Sequence, residues 1–150
     1  VRDIRWWRFK QIPYHKYFSE MELSELTGEY KSQLLPGRGM LIDTQIMKKI
    51  GLFESGLAQY ASDDEFCFRA IKNGYEVYVS WDSIIYSHHQ STGIGTPFLK
   101  QSLNTYLKSF FNPYSKTYWK KHAFIICNYG LKILFPLTLS IVFFCEFYSS

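Results

Sequence analysis

Apolar and polar residues change their spacing several times along the 150-residue chain, and each change marks an element. Ile46, Met47 and Ile50 recur at three- and four-residue intervals, with Asp43 before them and Gly51 after. That pattern predicts a helix over residues 44–50, capped by a carboxylate and stopped by glycine. A second helical stretch over residues 63–73 ends at Gly74. The alternation Glu76-Val77-Tyr78-Val79-Ser80 then predicts a half-buried strand. Two unbroken apolar runs predict short buried strands. Met40-Leu41-Ile42 follows the breaker cluster Pro36-Gly37-Arg38-Gly39, and Ile84-Ile85-Tyr86 follows the turn Trp81-Asp82-Ser83. Residues 51–61 show no sustained period and predict a loop. Short strands alternating with helices in tight succession imply an α/β sheet domain rather than a bundle.

The two ends have a different texture. Residues 2–18 mix Arg, Lys and His with Trp6, Trp7, Phe9, Tyr14, Tyr17 and Phe18, interrupted by Pro13. This fits a strand or short helix packing its aromatics on a core, or an aromatic ligand platform. Residues 19–29 set Met21, Leu23 and Leu26 among glutamates, as a short amphipathic helix or lid-like loop does. Residues 98–122 place Leu103, Tyr106, Leu107, Phe110 and Phe111 at helical spacing between lysines, with a break at Asn112-Pro113. The pattern suits an interfacial helix and an ordinary sheet-covering helix equally. Residues 123–148 are strongly apolar and reach the length of about 20 residues that a bilayer span needs. Asn128, Lys132, Pro136 and Glu146 interrupt them, so a tilted span, a re-entrant helix and a buried helix all fit. Membrane attachment is the expectation, with Lys120-Lys121 placing the preceding side in the cytoplasm.

Composition narrows the class. Apolar residues make up 47% and aromatics 19%, which excludes general disorder and leaves more aromatic surface than one small domain readily covers. The net charge of +4 falls short of the dense basic stripe of a nucleic-acid module. Cys67, Cys127 and Cys145 are odd in number and lack metal-ligand spacing, so neither a disulfide framework nor a zinc site is supported. With Val1 first and no signal-peptide pattern, the chain is expected to begin inside a longer protein.

Candidate chemistry gathers between residues 34 and 89. Ser62-Asp63-Asp64-Glu65 has the form of a capping box, with Ser62 and Glu65 at the required spacing and two aspartates in the first helical turn. Capping explains all four residues. A carboxylate at a helix start is also held where a general base must be held, so the two readings are compatible. Gly37-Arg38-Gly39 is either a tight turn with a solvated arginine or a loop on which a phosphate or carboxylate approaches the backbone. Arg69, on the same helix as Asp63, is a surface arginine or an ion-pair partner that holds the acid. His88 and His89 end the last strand, as polar residues or as ligands of a metal ion or diphosphate. Residues 91–95, Ser-Thr-Gly-Ile-Gly, form a flexible loop able to close over a ligand.

Taken in order, LLPGRGMLI, KKIGLFES and YASDDEFCFRAIKNGYEVYVS resemble the acceptor-side half of family 2 glycosyltransferases, which have the GT-A fold. The likeness rests on residues 36–42, on residues 50–53, and on Asp63, Arg69 and Gly74-Tyr75, about a third of the chain. It implies the C-terminal half of a GT-A type domain, with a Rossmann-like mixed sheet, over residues 1–97. A basic amphipathic helical segment (98–122) and an apolar membrane-associated helix (123–150) follow. It implies inverting transfer of a sugar from a nucleotide-sugar donor to a glycan or lipid-linked acceptor hydroxyl, and the apolar stretch after Lys120-Lys121 sets the expected place of work at the cytoplasmic face of a membrane. Asp63 would be the general base. Gly37, Arg38, Gly39, Asp64 and Arg69 would bind substrate, and His88 and His89 would meet metal or diphosphate. Mg²⁺ or Mn²⁺ is implied by the family alone, because its Asp-x-Asp ligands occur nowhere in this chain. The acid that usually precedes the base is replaced by Ser62. A non-catalytic, membrane-tethered glycan-binding or scaffold domain is the rival expectation.

Overall fold

The computed structural model describes residues 2–3, 14–15, 27–57, 60–86, 103–115 and 118–130. Several expectations lie outside them: the helix or lid over most of 19–29, His88 and His89, the loop 91–95, and the apolar stretch beyond Gly130. Two compact units make up the chain, residues 1–84 and 85–150.

In the first unit, β1 (Arg2–Asp3) pairs antiparallel with β2 (Tyr14–His15). A second two-stranded antiparallel sheet joins β3 (Glu29–Lys31) to β4 (Tyr78–Ser80), with Tyr30 opposite Val79. The ladder runs on at both ends, through Ser32 N–H to the Val77 carbonyl at 2.8 Å and Trp81 N–H to the Gly28 carbonyl at 2.9 Å. Gly28 has φ +76°, and its N–H donates to both carboxylate oxygens of Asp82 at 3.0 Å. The Tyr30 and Trp81 rings meet edge to face with centroids 6.4 Å apart. β3 is not foreseen from the sequence. Only Tyr30 of its three residues turns inward, too little for a visible alternation.

α1 (Thr44–Ile50) forms where the pattern predicts it. Asp43 accepts from the Gln45 N–H at 2.8 Å, and the Gly51 N–H closes the last turn on the Met47 carbonyl at 2.9 Å. No residue of α1 is fully buried. α2 (Ser62–Lys72), against which α1 packs, is the opposite case. Its residues Glu65, Phe66, Cys67 and Phe68 are all buried. Successive helical side chains point about 100° apart, so this turn is enclosed on nearly every side. Ser32, Leu34, Leu57, Ala70 and Val77 are buried as well among the described residues of the unit.

Both predicted apolar strands are absent. Residues 40–42 form no ladder, and Leu41 is 96% exposed. Only three residues separate the turn at Gly39, with φ +73°, from the Asp43 cap, which leaves no room for a strand to pair before the helix begins. Residues 84–86 are also unpaired and exposed, Tyr86 at 91%. An apolar run becomes a strand only when a neighbouring strand supplies its ladder, and neither run has one here.

The second unit contains α3 (Leu103–Phe111) and α4 (Trp119–Tyr129). α3 stops at Asn112-Pro113, where Asn112 Oδ1 accepts the Tyr114 N–H at 3.0 Å. Lys121, on α4, is buried and donates to the Ser115 carbonyl at 2.7 Å, tying the turn to the helix. Lys120 is therefore the exposed charge of the Lys120-Lys121 pair. α4 ends at Gly130, whose N–H bonds the Ile126 carbonyl at 2.9 Å. No helix among the described residues is long and apolar enough to cross a membrane.

At the sheet surface Lys31 is ion-paired to Glu76, which also accepts from Tyr78 Oη at 2.7 Å. The Lys31 ammonium, then Tyr78, hold the Glu76 carboxyl below its ordinary range, and Glu76 in turn raises Lys31 and Tyr78. The Glu76 contribution is thus complete above the ordinary carboxylate pKa and fades as pH falls through the depressed value. The Lys31 contribution is complete below the ordinary ammonium pKa and fades as pH rises through the raised one. Because the pair is fully solvated, the effect on stability is small. In an NMR titration the Glu76 midpoint should lie below that of a free glutamate and move upward in Lys31→Ala. An unchanged midpoint in that variant would show that the pair does not form in solution.

Candidate functional site

The candidate site is built at the start of α2. Ala61, not Ser62, is the N-cap. It adopts the left-handed conformation (φ 69°), makes no side-chain cap, and its carbonyl receives the Glu65 N–H at 2.8 Å. The expected capping box is therefore corrected, because Ser62 already lies inside the helix and Glu65 sits one residue too far along to close on the cap. A non-glycine residue at positive φ is uncommon and strained, by about 1–2 kcal/mol. Here it turns the chain abruptly so that Asp63 emerges in the first turn.

Asp63 is half-buried and accepts two backbone hydrogen bonds. The Gly37 N–H reaches Oδ2 at 2.8 Å, and the Asp64 N–H reaches Oδ1 at 3.1 Å. The first of these joins the turn at residues 37–39 to the helix start across 26 positions of sequence. Each carboxylate oxygen keeps further lone-pair capacity toward a donor such as a hydroxyl. Arg38 and Gly39 are exposed in that turn, and Asp64 is half-buried beside Asp63.

Arg69 holds a different acid from the one expected. Its Nη2 pairs with Glu65 Oε2 at 3.0 Å, one helical turn back, and not with Asp63. The same guanidinium donates through Nη1 to the Ile50 carbonyl at 2.8 Å and through Nη2 to the Leu52 carbonyl at 2.6 Å. Its Cζ lies over the Phe66 ring, 5.2 Å from the centroid, and Phe66 in turn meets Phe53 at a tilt with centroids 5.0 Å apart. Glu65 is 3% exposed, so this is a desolvated carboxylate whose charge Arg69 offsets. Gly51 lies beneath the fork. It has φ +92°, and a Cβ there would stand 3.0 Å from Nη1. The sequence KKIGLF is thus explained by backbone: the turn presents two carbonyls to one arginine.

A groove of about 550 Å³, lined by Lys31, Gln33, Ile71, Tyr75, Glu76 and Val77 among others, opens at the other end of α2. Residues of its wall such as Ile71 and Asp63 are eight positions apart on the helix, about 12 Å along its axis. The groove and the carboxylate are separate features. Among the described residues no group of three His, Cys, Asp or Glu side chains is placed to hold a metal ion, and His88 and His89 lie outside them.

Two stability experiments probe the frame. Arg69→Met leaves the buried Glu65 charge without its partner and should cost about 3–5 kcal/mol in urea unfolding, with part recovered by adding Glu65→Gln. A loss below about 1 kcal/mol, within the range of an exposed pair, would mean that Arg69 does not offset a buried charge. Gly51→Ala meets both positive φ and a close guanidinium and should cost more than about 1 kcal/mol. A Cβ at Gly37 instead meets the Asp63 side chain at an ordinary 3.6 Å, so Gly37→Ala should stay within about 0.5 kcal/mol of the wild type. Equal losses at the two glycines would contradict the geometry of the fork.

Comparison with known proteins returns no matching family model, no matching characterised protein and no matching solved structure.

Proposed function

We propose that the chain is the acceptor-side part of an inverting, family 2-like glycosyltransferase, working at the cytoplasmic face of a membrane on a nucleotide-sugar donor and a glycan or lipid-linked acceptor. The observation that carries this reading is the hydrogen bond from Gly37 N–H to Asp63 Oδ2 at 2.8 Å. It brings together two separated motifs on which the resemblance rests, the Gly-Arg-Gly turn and the acidic helix start. The third, the Ile-Gly-Leu-Phe turn, is bound to the same helix through Arg69.

In the proposed reaction Asp63 accepts the proton of an acceptor hydroxyl as that oxygen attacks the anomeric carbon from the face opposite the leaving nucleotide. The C–O bond to the nucleotide breaks as the new glycosidic bond forms, and configuration inverts. The carboxylate is suited to this because two fixed backbone N–H groups orient it while each oxygen keeps a free lone pair. Arg69 acts through the helix. It holds α2 against residues 50–52 and has its charge spent on Glu65, so its role is positioning. Gly37 supplies the orienting N–H, while Arg38, Gly39 and Asp64 border the carboxylate on the acceptor side.

One observation favours the rival, a non-catalytic glycan-binding or scaffold domain derived from such an enzyme. Both Asp63 oxygens already serve the backbone, and the groove lies at the far end of α2, so the carboxylate would act as a clamp alone. The decisive variant is Asp63→Asn in the full-length gene product, assayed with a panel of nucleotide sugars. Transfer should fall by about a hundred- to ten-thousand-fold with donor affinity nearly unchanged. Undiminished turnover would remove Asp63 as the base, and a wild-type protein that binds glycan but transfers no sugar would favour the rival.

A further inference from the structure

From residue 83 to residue 145 the chain contains no Asp or Glu and six lysines, and from residue 70 to its end it contains no Arg. Within that stretch the C-terminal turn of α3 presents apolar and cationic groups together. Leu107 and Phe111 are one turn apart and both exposed, and Lys108 stands three residues before Phe111 on the same side. Phe111 is 65% exposed and Tyr114, just past the helix, 66%. These residues are held in place. The Phe110 ring meets Phe111 edge to face at 5.5 Å, Asn112 fixes the turn that carries Tyr114, and buried Lys121 anchors that turn through Ser115.

We infer that the surface of Leu107, Lys108, Phe111 and Tyr114 docks on an anionic lipid bilayer, lying in the headgroup layer with the rings entering the acyl boundary. Large apolar side chains this exposed cost free energy in water, and a phospholipid interface is where rings and lysine stems can both be accommodated. The charge complementarity selects anionic lipid, because nothing acidic in residues 83–145 offsets the lysines against a negative surface. A nucleic acid is a poorer match. The surface offers no guanidinium to phosphate or base edges, and its exposed groups include an aliphatic leucine. The inference rests on the membrane part of the proposed function and is independent of glycosyl transfer.

The test uses the 150-residue chain and vesicles of phosphatidylcholine, with or without phosphatidylglycerol, followed by sedimentation. Binding should be at least about tenfold stronger to the anionic vesicles and should weaken as salt is added. Lys108→Glu with Phe111→Ser should lose about tenfold of that binding while keeping the wild-type far-ultraviolet circular dichroism. Lys108→Glu alone, a change at an exposed position, should lose several-fold. Leu41→Ser, which removes exposed apolar surface in the first unit, should bind as the wild type does. Equal binding to both vesicle types, wild-type binding by the double variant, or release from anionic vesicles by RNA with retention on the RNA would each overturn the proposal. None of these outcomes bears on the Asp63→Asn assay, so the two readings fail separately.

Discussion

The first unit depends on one desolvated pairing. Glu65 is buried in a turn of α2 whose other faces are filled by Phe66, Cys67 and Phe68, and a carboxylate there is tolerable only with a cation against it. Arg69 supplies that charge and, through the remaining fork of its guanidinium, collects the carbonyls of Ile50 and Leu52. A lysine could neutralise the charge but could not span both carbonyls from a rigid plane. The end of α1, the loop that follows and the middle of α2 are consequently one structural piece. Phe53 packs against Phe66 on its apolar side.

That piece sets the position of the helix start. α2 begins abruptly at a left-handed Ala61, so its first carboxylate, Asp63, projects toward the turn at residues 37–39 and is caught by Gly37 N–H. The three carboxylates of the triplet therefore live in three environments. Asp63 is oriented by backbone N–H groups, Asp64 is half-buried beside it, and Glu65 is spent inside the fold. Asp63 combines an orientation fixed by two backbone N–H groups with remaining capacity to accept a proton, and the proposed chemistry is placed on it. The groove at the opposite end of α2 is physically distinct, and its rim charges Lys31 and Glu76 already satisfy each other.

The second unit follows a different rule. Its exposed side chains include Leu107, Lys108, Phe111, Tyr114 and Lys120, and residues 83–145 contain no acid to balance the lysines. The buried charge of Lys121 is used to fasten the Asn112–Ser115 turn rather than to face solvent. Burial of a cation to hold a turn makes sense where the turn carries exposed rings that must keep their orientation.

What the sequence determined by itself was local. Asp43, the 3–4 spacing of Ile46, Met47 and Ile50, and Gly51 specify α1 because cap, face and stop all lie within one short segment. Gly74 and the alternation before Ser80 likewise mark the end of α2 and the strand β4. The candidate carboxylate was legible as well, as an acid in the first turn of a helix. Tertiary structure decided everything that needed a distant partner. Met40-Leu41-Ile42 and Ile84-Ile85-Tyr86 look like strands, yet strand formation is a property of two segments and no ladder reaches them. Ser62 and Glu65 have capping-box spacing, yet the frame set by Ala61 shifts the helix by one residue and sends Glu65 inward to Arg69. The contact of Gly37 with Asp63 joins residues 26 apart. Periodicity reports which face of a segment is apolar; it carries no information about which other segment will meet that face, and hydrogen bonds between distant backbones are fixed only when the chain has folded.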